Sequence, residues 1–121
     1  MAEHNELGKQ GEEMARGYLI RKGYKILATN WRFGNDEIDI IASQGAFIVM
    51  AEVKTRRTNT FGEPEEFVTK QKQKFLIRAA GAYIEQKKIE EEVRFDIISV
   101  LFSGTRQQIN HIEDAFYPTL S

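Results

Sequence analysis

Glu37-Ile-Asp39-Ile-Ile-Ala42 and Phe47-Ile-Val-Met-Ala-Glu52-Val-Lys54, separated by Ser43-Gln-Gly-Ala46, decide how this chain folds. Both runs are rich in β-branched and apolar residues and the segment between them has turn composition, so together they predict a β-hairpin. Side chains alternate along a strand, which puts Ile48, Met50, Glu52 and Lys54 on one face and Phe47, Val49, Ala51 and Val53 on the other. A short turn centred on Gln44-Gly45 brings Asp39 opposite either Met50 or Glu52, and in both registers Glu37, Asp39, Glu52 and Lys54 share a face. That face also carries Ile41, Ile48 and Met50, so it is not simply the wet side of a sheet. Carboxylates facing each other repel unless something neutralises them, and a divalent cation is the simplest such agent.

Before the hairpin, Leu7, Gly11, Met14, Ala15, Tyr18 and Leu19 recur at helical spacing between about Glu6 and Lys22, and Gly23 supplies a stop. Tyr24 to Ala28 reads as a short strand that ends in a turn region from Thr29 to Asp36. After the hairpin, residues 55–66 read as a structureless flap, near the ~12-residue length at which a loop in a compact domain is usually functional. A second helix is expected from about Thr69 to Lys88, with Leu76, Ala79, Ala80, Tyr83 and Ile84 on one stripe. Val93 to Leu101 is a further strand and Gln107 to Ile112 a weaker final one. Helix, three strands, helix and one or two strands indicate an α/β fold with a mixed sheet flanked by helices, and 121 residues leave room for a single domain over 1–121.

Composition narrows the chemistry. The chain has no cysteine, and its two histidines, His4 and His111, stand at opposite ends, so disulfides, thiolate nucleophiles and Cys/His zinc sites are excluded and oxygen ligands remain. No apolar run approaches the ~18 residues of a membrane span, and no basic-then-apolar leader opens the chain; a cytoplasmic protein without a membrane partner is expected. The net charge of -1 is not that of a generic nucleic-acid coat. Its distribution is uneven, however, with Lys54, Arg56, Arg57, Lys70, Lys72, Lys74 and Arg78 against Glu63, Glu65 and Glu66 between residues 54 and 78. Such a stretch can meet a phosphate backbone or serve as a solvated face.

The metal that suits two or three carboxylates is Mg2+ (or Mn2+), which takes one or two protein carboxylates together with phosphate oxygens and water. Such an ion polarises a scissile phosphate and activates water, and Lys54 beside it would orient that water and offset negative charge. Glu12 sits at the edge of the apolar stripe of the first helix and can reach the sheet, while Glu13 points away. Gly8 and Gly11 each cost ~1 kcal/mol relative to alanine in a helix, which makes sense if that helix packs very close to the strands. Lys72 lies one turn before Leu76 on the core-facing stripe, an awkward place for a charge unless it points at an acidic or phosphate-filled site. Trp31, Arg32 and Phe33 read either as a base-stacking loop or as a Trp buried under the sheet. Arg94 and Asp96 share a strand face, as a salt pair would.

In order along the chain, Gly8-Lys-Gln-Gly11-Glu12, Asn30-Trp-Arg32, Glu37-Ile-Asp39, Glu52-Val-Lys54-Thr-Arg56 and Arg94-Phe-Asp96 resemble the YraN family of bacterial proteins. That family is similar to the PD-(D/E)xK, restriction-endonuclease-like superfamily, which includes the archaeal Holliday junction resolvases. The resemblance covers about Leu7 to Ile112 and implies an αβββαβ core, with Asp39 and Glu52 as metal ligands, Lys54 as catalytic lysine and Glu12 as the helix-borne acid. It departs where the family usually has Gly before Glu-Ile-Asp; Asp36 stands there. The leading expectation is a Mg2+-dependent endonuclease acting on DNA, at branched or damaged structures, with Arg56, Arg57, Lys70, Lys72, Lys74 and Arg32 on the nucleic acid. The alternatives are a binding module of nuclease fold that does not cut, and a protein-interaction domain. A homodimer is compatible with how little of a duplex 121 residues cover.

Overall fold

The alternating apolar residues of the hairpin become the centre of a five-stranded sheet in the order β1-β2-β3-β4-β5. The computed structural model describes residues 2–57 and 68–118, with side chains from residue 6 onward. Its elements are α1 (Ala2–Arg21), β1 (Lys25–Phe33), β2 (Asp36–Gln44), β3 (Phe47–Arg57), α2 (Lys70–Lys87), β4 (Glu92–Ser103) and β5 (Arg106–Phe116). β1 and β2, β2 and β3, and β4 and β5 pair antiparallel, whereas β3 and β4 run parallel. Parallel neighbours need a crossover, and α2 provides it. The fold is thus α/β with the αβββαβ core and β5 added at its edge.

One helix covers each face of the sheet. Ala15 and Leu19 of α1 pack on Ile40, Ala42, Val49, Ala51, Ile98 and Val100. On the opposite face, Leu76, Ala79, Ala80 and Tyr83 of α2 pack on Ile38, Ile41, Ile48, Met50, Phe95 and Ile97. The helix ends follow local chemistry. Gly23, at φ 93°, closes α1 by donating to the Ile20 carbonyl while Tyr24 N–H donates to that of Leu19, a left-handed cap that favours glycine. At the start of α2, Thr69 accepts from the Lys72 N–H at 3.2 Å, and Lys88 ends the helix in the left-handed region.

Several expectations change. The hairpin turn is Gly45-Ala46, one position later than expected, because Gln44 pairs with Phe47; Ile41 and Ile40 then face Met50 and Ala51, which brings Asp39 level with Glu52. Strict alternation along β2 also fails. Ile38 and Ile41 both join the α2 side of the core while Ile40 joins the α1 side, so one residue between them departs from the pleat and Glu37 does not simply follow Ile41. β1 runs on through Trp31 to Phe33 where a turn region was expected, because those residues pair with Ile38 and Asp36. The weak final strand becomes an eleven-residue β5. Residues 55–57 are strand, and the rest of the expected flap lies outside the described residues.

Close approach of α1 to the sheet holds for one glycine and not for the other. A Cβ on Gly11 would stand 1.9 Å from Thr55 Oγ1, whereas one on Gly8 would meet nothing within 4 Å. Gly11→Ala should therefore destabilise by ~1–3 kcal/mol through overpacking, while Gly8→Ala should stabilise by ~0.5–1 kcal/mol through helix propensity. Urea midpoints of the two variants, moving in opposite directions, check this.

Candidate active site

β2 and β3 stop pairing as regular strands after Ile40 and Ala51. At the next position the Val53 N–H donates at 2.8 Å to Asp39 Oδ2, so a side-chain carboxylate takes a bond that a ladder carbonyl would otherwise receive. On the other flank, Asn30 interrupts the pairing of β1 with β2 and adopts φ 49°, a left-handed conformation that asparagine tolerates better than most residues. Its Nδ2 donates to Glu12 Oε1 at 3.1 Å, which ties α1 to the sheet at the level of Asp39. Lys9, Glu12, Arg16, Thr29, Asn30 and Asp39 line the resulting cleft of ≈ 220 Å³, and Glu13, expected to point away, stands on its wall as well.

Electrostatics at this opening are unfavourable in the absence of a counter-charge. Burial first, and then the charge of neighbouring Glu52, push the Asp39 carboxyl up to about 7, against the lowering effect of the Val53 hydrogen bond. Glu12 is also raised, by burial and by the charges of Asp39 and Glu37, although the Asn30 hydrogen bond opposes this. Glu52 is buried, and its Oε1 has no hydrogen-bond partner. Its other oxygen lies 3.6 Å from Lys72 Nζ, which reaches it from the α2 face. Lys54 is half-buried one register step beyond Glu52 and stands beside Ser99 of β4, whose buried hydroxyl is likewise unpartnered.

Of the sequence-derived site residues, the structure brings Asp39 close to Glu52, with Glu12 beside Asp39 in the α1-side cleft and Lys72 meeting Glu52 from the α2 side; neither Lys72 nor Glu52 lines that cleft. Among the described residues no three His, Asp or Glu side chains are gathered closely enough to hold an ion jointly, so Glu12 is not drawn into a ready-made triad. Two carboxylates and an orphaned buried oxygen do fit a hard cation that keeps most of its waters. Arg32 is mostly exposed and 3.4 Å from Glu37, and Trp31 meets Tyr83 edge-on at 5.2 Å, which is the buried reading of that segment. Arg57, Lys70 and Lys74 are exposed and Arg56 half-buried. Sequence reasoning missed Lys9, Arg16 and Asn30 as parts of this site; the first two lie three before and four after Glu12, the spacing that puts residues on one helix face. It also missed His111, which sits in a buried network described below.

Asp39 binds its proton more tightly when folded than when unfolded, so its contribution to stability is largest below about pH 4 and is lost as pH rises through about 7. Asp39→Asn, which keeps an oxygen for the Val53 N–H, should flatten that dependence and raise stability at pH 8 while leaving it little changed or lower at pH 5. Urea unfolding of both proteins at pH 5 and pH 8 measures the difference.

The sequence pattern of the family described as "Uncharacterised protein family UPF0102" matches residues 11–100. A UPF0102 protein of Christiangramia forsetii is 48% identical over 117 residues, covering 97% of this chain and 98% of the relative. One of Bacteroides thetaiotaomicron is 49% identical over 120 residues, with 99% of each covered. A third, of Phocaeicola vulgatus, is 47% identical over the same length and coverage. With near-complete coverage on both sides, and the Glu12, Asp39, Glu52 and Lys54 positions all inside the matched span, the chain belongs to the UPF0102 family, the YraN family its motifs resemble.

Proposed function

We propose that the Asp39–Glu52 opening is the catalytic centre of a metal-dependent endonuclease that hydrolyses phosphodiester bonds in DNA, at branched or damaged structures. The observation that carries this reading is the forced proximity of two carboxylates, the half-buried Asp39 raised to about 7 and the buried Glu52 with an unpartnered oxygen, where the sheet opens beside a lysine. A fold that only needed a stable sheet would have filled this position with apolar residues.

Asp39 and Glu52 would hold Mg2+ or Mn2+, which when bound supplies polarisation of the phosphate and a lowered pKa for water. The Val53 N–H fixes one Asp39 oxygen and leaves the other to the site. Lys54 would align a water in line with the phosphorus and offset the charge that builds on the phosphate oxygens. Lys72, near Glu52 Oε2, can turn its ammonium to a phosphate oxygen once a cation takes over the acid. Asn30 keeps Glu12 at the cleft wall, where it can accept a proton or a water hydrogen bond. Action on DNA would place the protein in the cytoplasm; among the described residues no helix is long and apolar enough to cross a membrane.

Incubation of the protein in Mg2+ or Mn2+ with junction, flap, duplex and single-stranded DNA tests the assignment. Glu52→Gln and Lys54→Met should each lower cleavage by ~10²-fold or more, the usual cost of removing one electrostatic stabiliser. Mn2+ should raise the melting temperature of the wild type and not of Asp39→Asn. Cutting that survives both substitutions overturns the assignment. A second reading, a nucleic-acid-binding module that does not cut, is favoured by the Lys72 ammonium already beside Glu52, a built-in counter-charge. It predicts DNA binding that is unaffected by chelation and an absence of cleavage.

A further inference from the structure

The basic residues expected to meet nucleic acid cluster around β3 and α2, yet the cleft at Asp39 opens on the α1 side, and two cations on α1 flank it. Lys9 and Arg16 are exposed and line the cleft on either side of Glu12. Both have acids of their own helix at pairing distance in sequence, Glu12 and Glu13 at i+3 and i+4 from Lys9, and the same two at i−4 and i−3 from Arg16. Among the described residues neither is within 4.0 Å of a carboxylate, so neither charge is consumed by an ion pair inside the fold.

We infer that Lys9 and Arg16 form a phosphate clamp on the rim of this cleft, gripping the backbone of one nucleic-acid strand on both sides of the phosphodiester presented to Asp39. The inference rests on the nuclease reading above and adds which surface the strand follows. Seven residues at a 1.5 Å rise separate the two cations by about 10.5 Å along the helix. Phosphates of one duplex strand advance by about 3.4 Å along the axis, so a strand lying along α1 would have phosphates about three steps apart at the two ends and the intervening ones over Glu12 and Asp39. The order of charges along the rim, basic, acidic, basic, is what a polyanion needs in order to approach a carboxylate pair that would otherwise repel it. Arg16, with a planar fork of donors, suits a bidentate phosphate contact, and Lys9 a point contact. The close packing of Gly11 on Thr55 holds this stretch of α1 at a fixed height above the sheet, which keeps the clamp in register with the cleft.

Equilibrium binding of the full chain to a fluorescein-labelled 30-mer, single-stranded and duplex, in EDTA and across 50–300 mM NaCl tests the clamp (roughly the range over which counterion release is steep). Lys9→Gln and Arg16→Gln should each weaken duplex binding by about eightfold at 0.1 M salt and make the slope of log affinity against log salt shallower by about 0.9, the value for one lost phosphate contact. Lys87→Gln, a charge-matched change in the last turn of α2, should leave both unchanged, and Lys9→Arg should restore wild-type behaviour. Wild-type binding with an unaltered slope in both α1 variants, or a slope carried instead by Lys70→Gln and Lys74→Gln, overturns the clamp and leaves the nuclease reading standing. Failure of the wild type to bind either DNA overturns both.

Discussion

Everything distinctive in this molecule follows from one hydrogen bond, the 2.8 Å donation from the Val53 N–H to the Asp39 carboxylate. A buried backbone N–H must find a partner, and in a continuing ladder it would be a carbonyl of β2. Because a side chain takes that role, β2 and β3 part company after Ile40 and Ala51 without leaving this donor orphaned. The opening exposes the ends of both strands to a common space, brings Asp39 level with Glu52, and shifts Ile38 and Ile41 onto the same side of the core. Asn30 answers on β1 by turning left-handed and reaching across to Glu12. One local substitution of partner thus converts a sheet into a cleft.

Such an opening needs rigid surroundings, and a second polar group at the α1 face provides them. Arg94 donates twice to Asp96 at 2.9 Å, His111 Nε2 lies 2.7 Å from the same carboxylate and the Asp114 N–H donates to it at 3.0 Å. Arg94 also donates to the Tyr24 hydroxyl and to Gln44, while His111 Nδ1 meets the Tyr18 hydroxyl at 3.0 Å. Burial alone would raise Asp96, yet the bonds from His111 and Arg94 outweigh it and hold the carboxyl below its usual value. A buried pair is a weak source of net stability but a strong source of uniqueness when every member is satisfied. Here the network joins α1, β2, β4 and β5, the elements that frame the sheet behind the cleft.

How much of this was legible in the sequence differs between the two halves of the problem. The hairpin, both helices and the shared strand face of Glu52 and Lys54 could be read because they rest on periodicities of 2 and 3.6, which are local. Periodicity leaves open whether Asp39 faces Met50 or Glu52, and the turn at Gly45-Ala46 decides it. The breakdown of alternation at Asp39 could not, since it depends on a hydrogen bond between residues fourteen apart. Trp31 and Phe33 looked like turn residues because Asn30 and Gly34 flank them; the partner strand made them β. Asp36, standing where the family usually has glycine, reads as a loop change and is in fact held by two bonds from Arg78, at 2.8 and 3.2 Å, that pin α2 to the β1–β2 turn. His111 carried no signal because its partners lie 15 and 93 residues away in sequence.

The groups that burden the fold are gathered where the sheet opens. Asp39 is protonated more readily than an exposed aspartate, Glu52 has an unpartnered oxygen, and Ser99 keeps a buried hydroxyl with nothing to bond. Each is a cost that a purely structural sheet would not carry, and they fall within one or two register steps of each other on β2, β3 and β4. The satisfied network at Arg94 and Asp96 lies on the same sheet, so this sheet completes its buried polar groups elsewhere. Incomplete satisfaction at Glu52 and Ser99 is therefore a local property, set beside an Asp39 whose carboxyl is raised by burial and by the charge of Glu52, and it coincides with the place where β2 and β3 part.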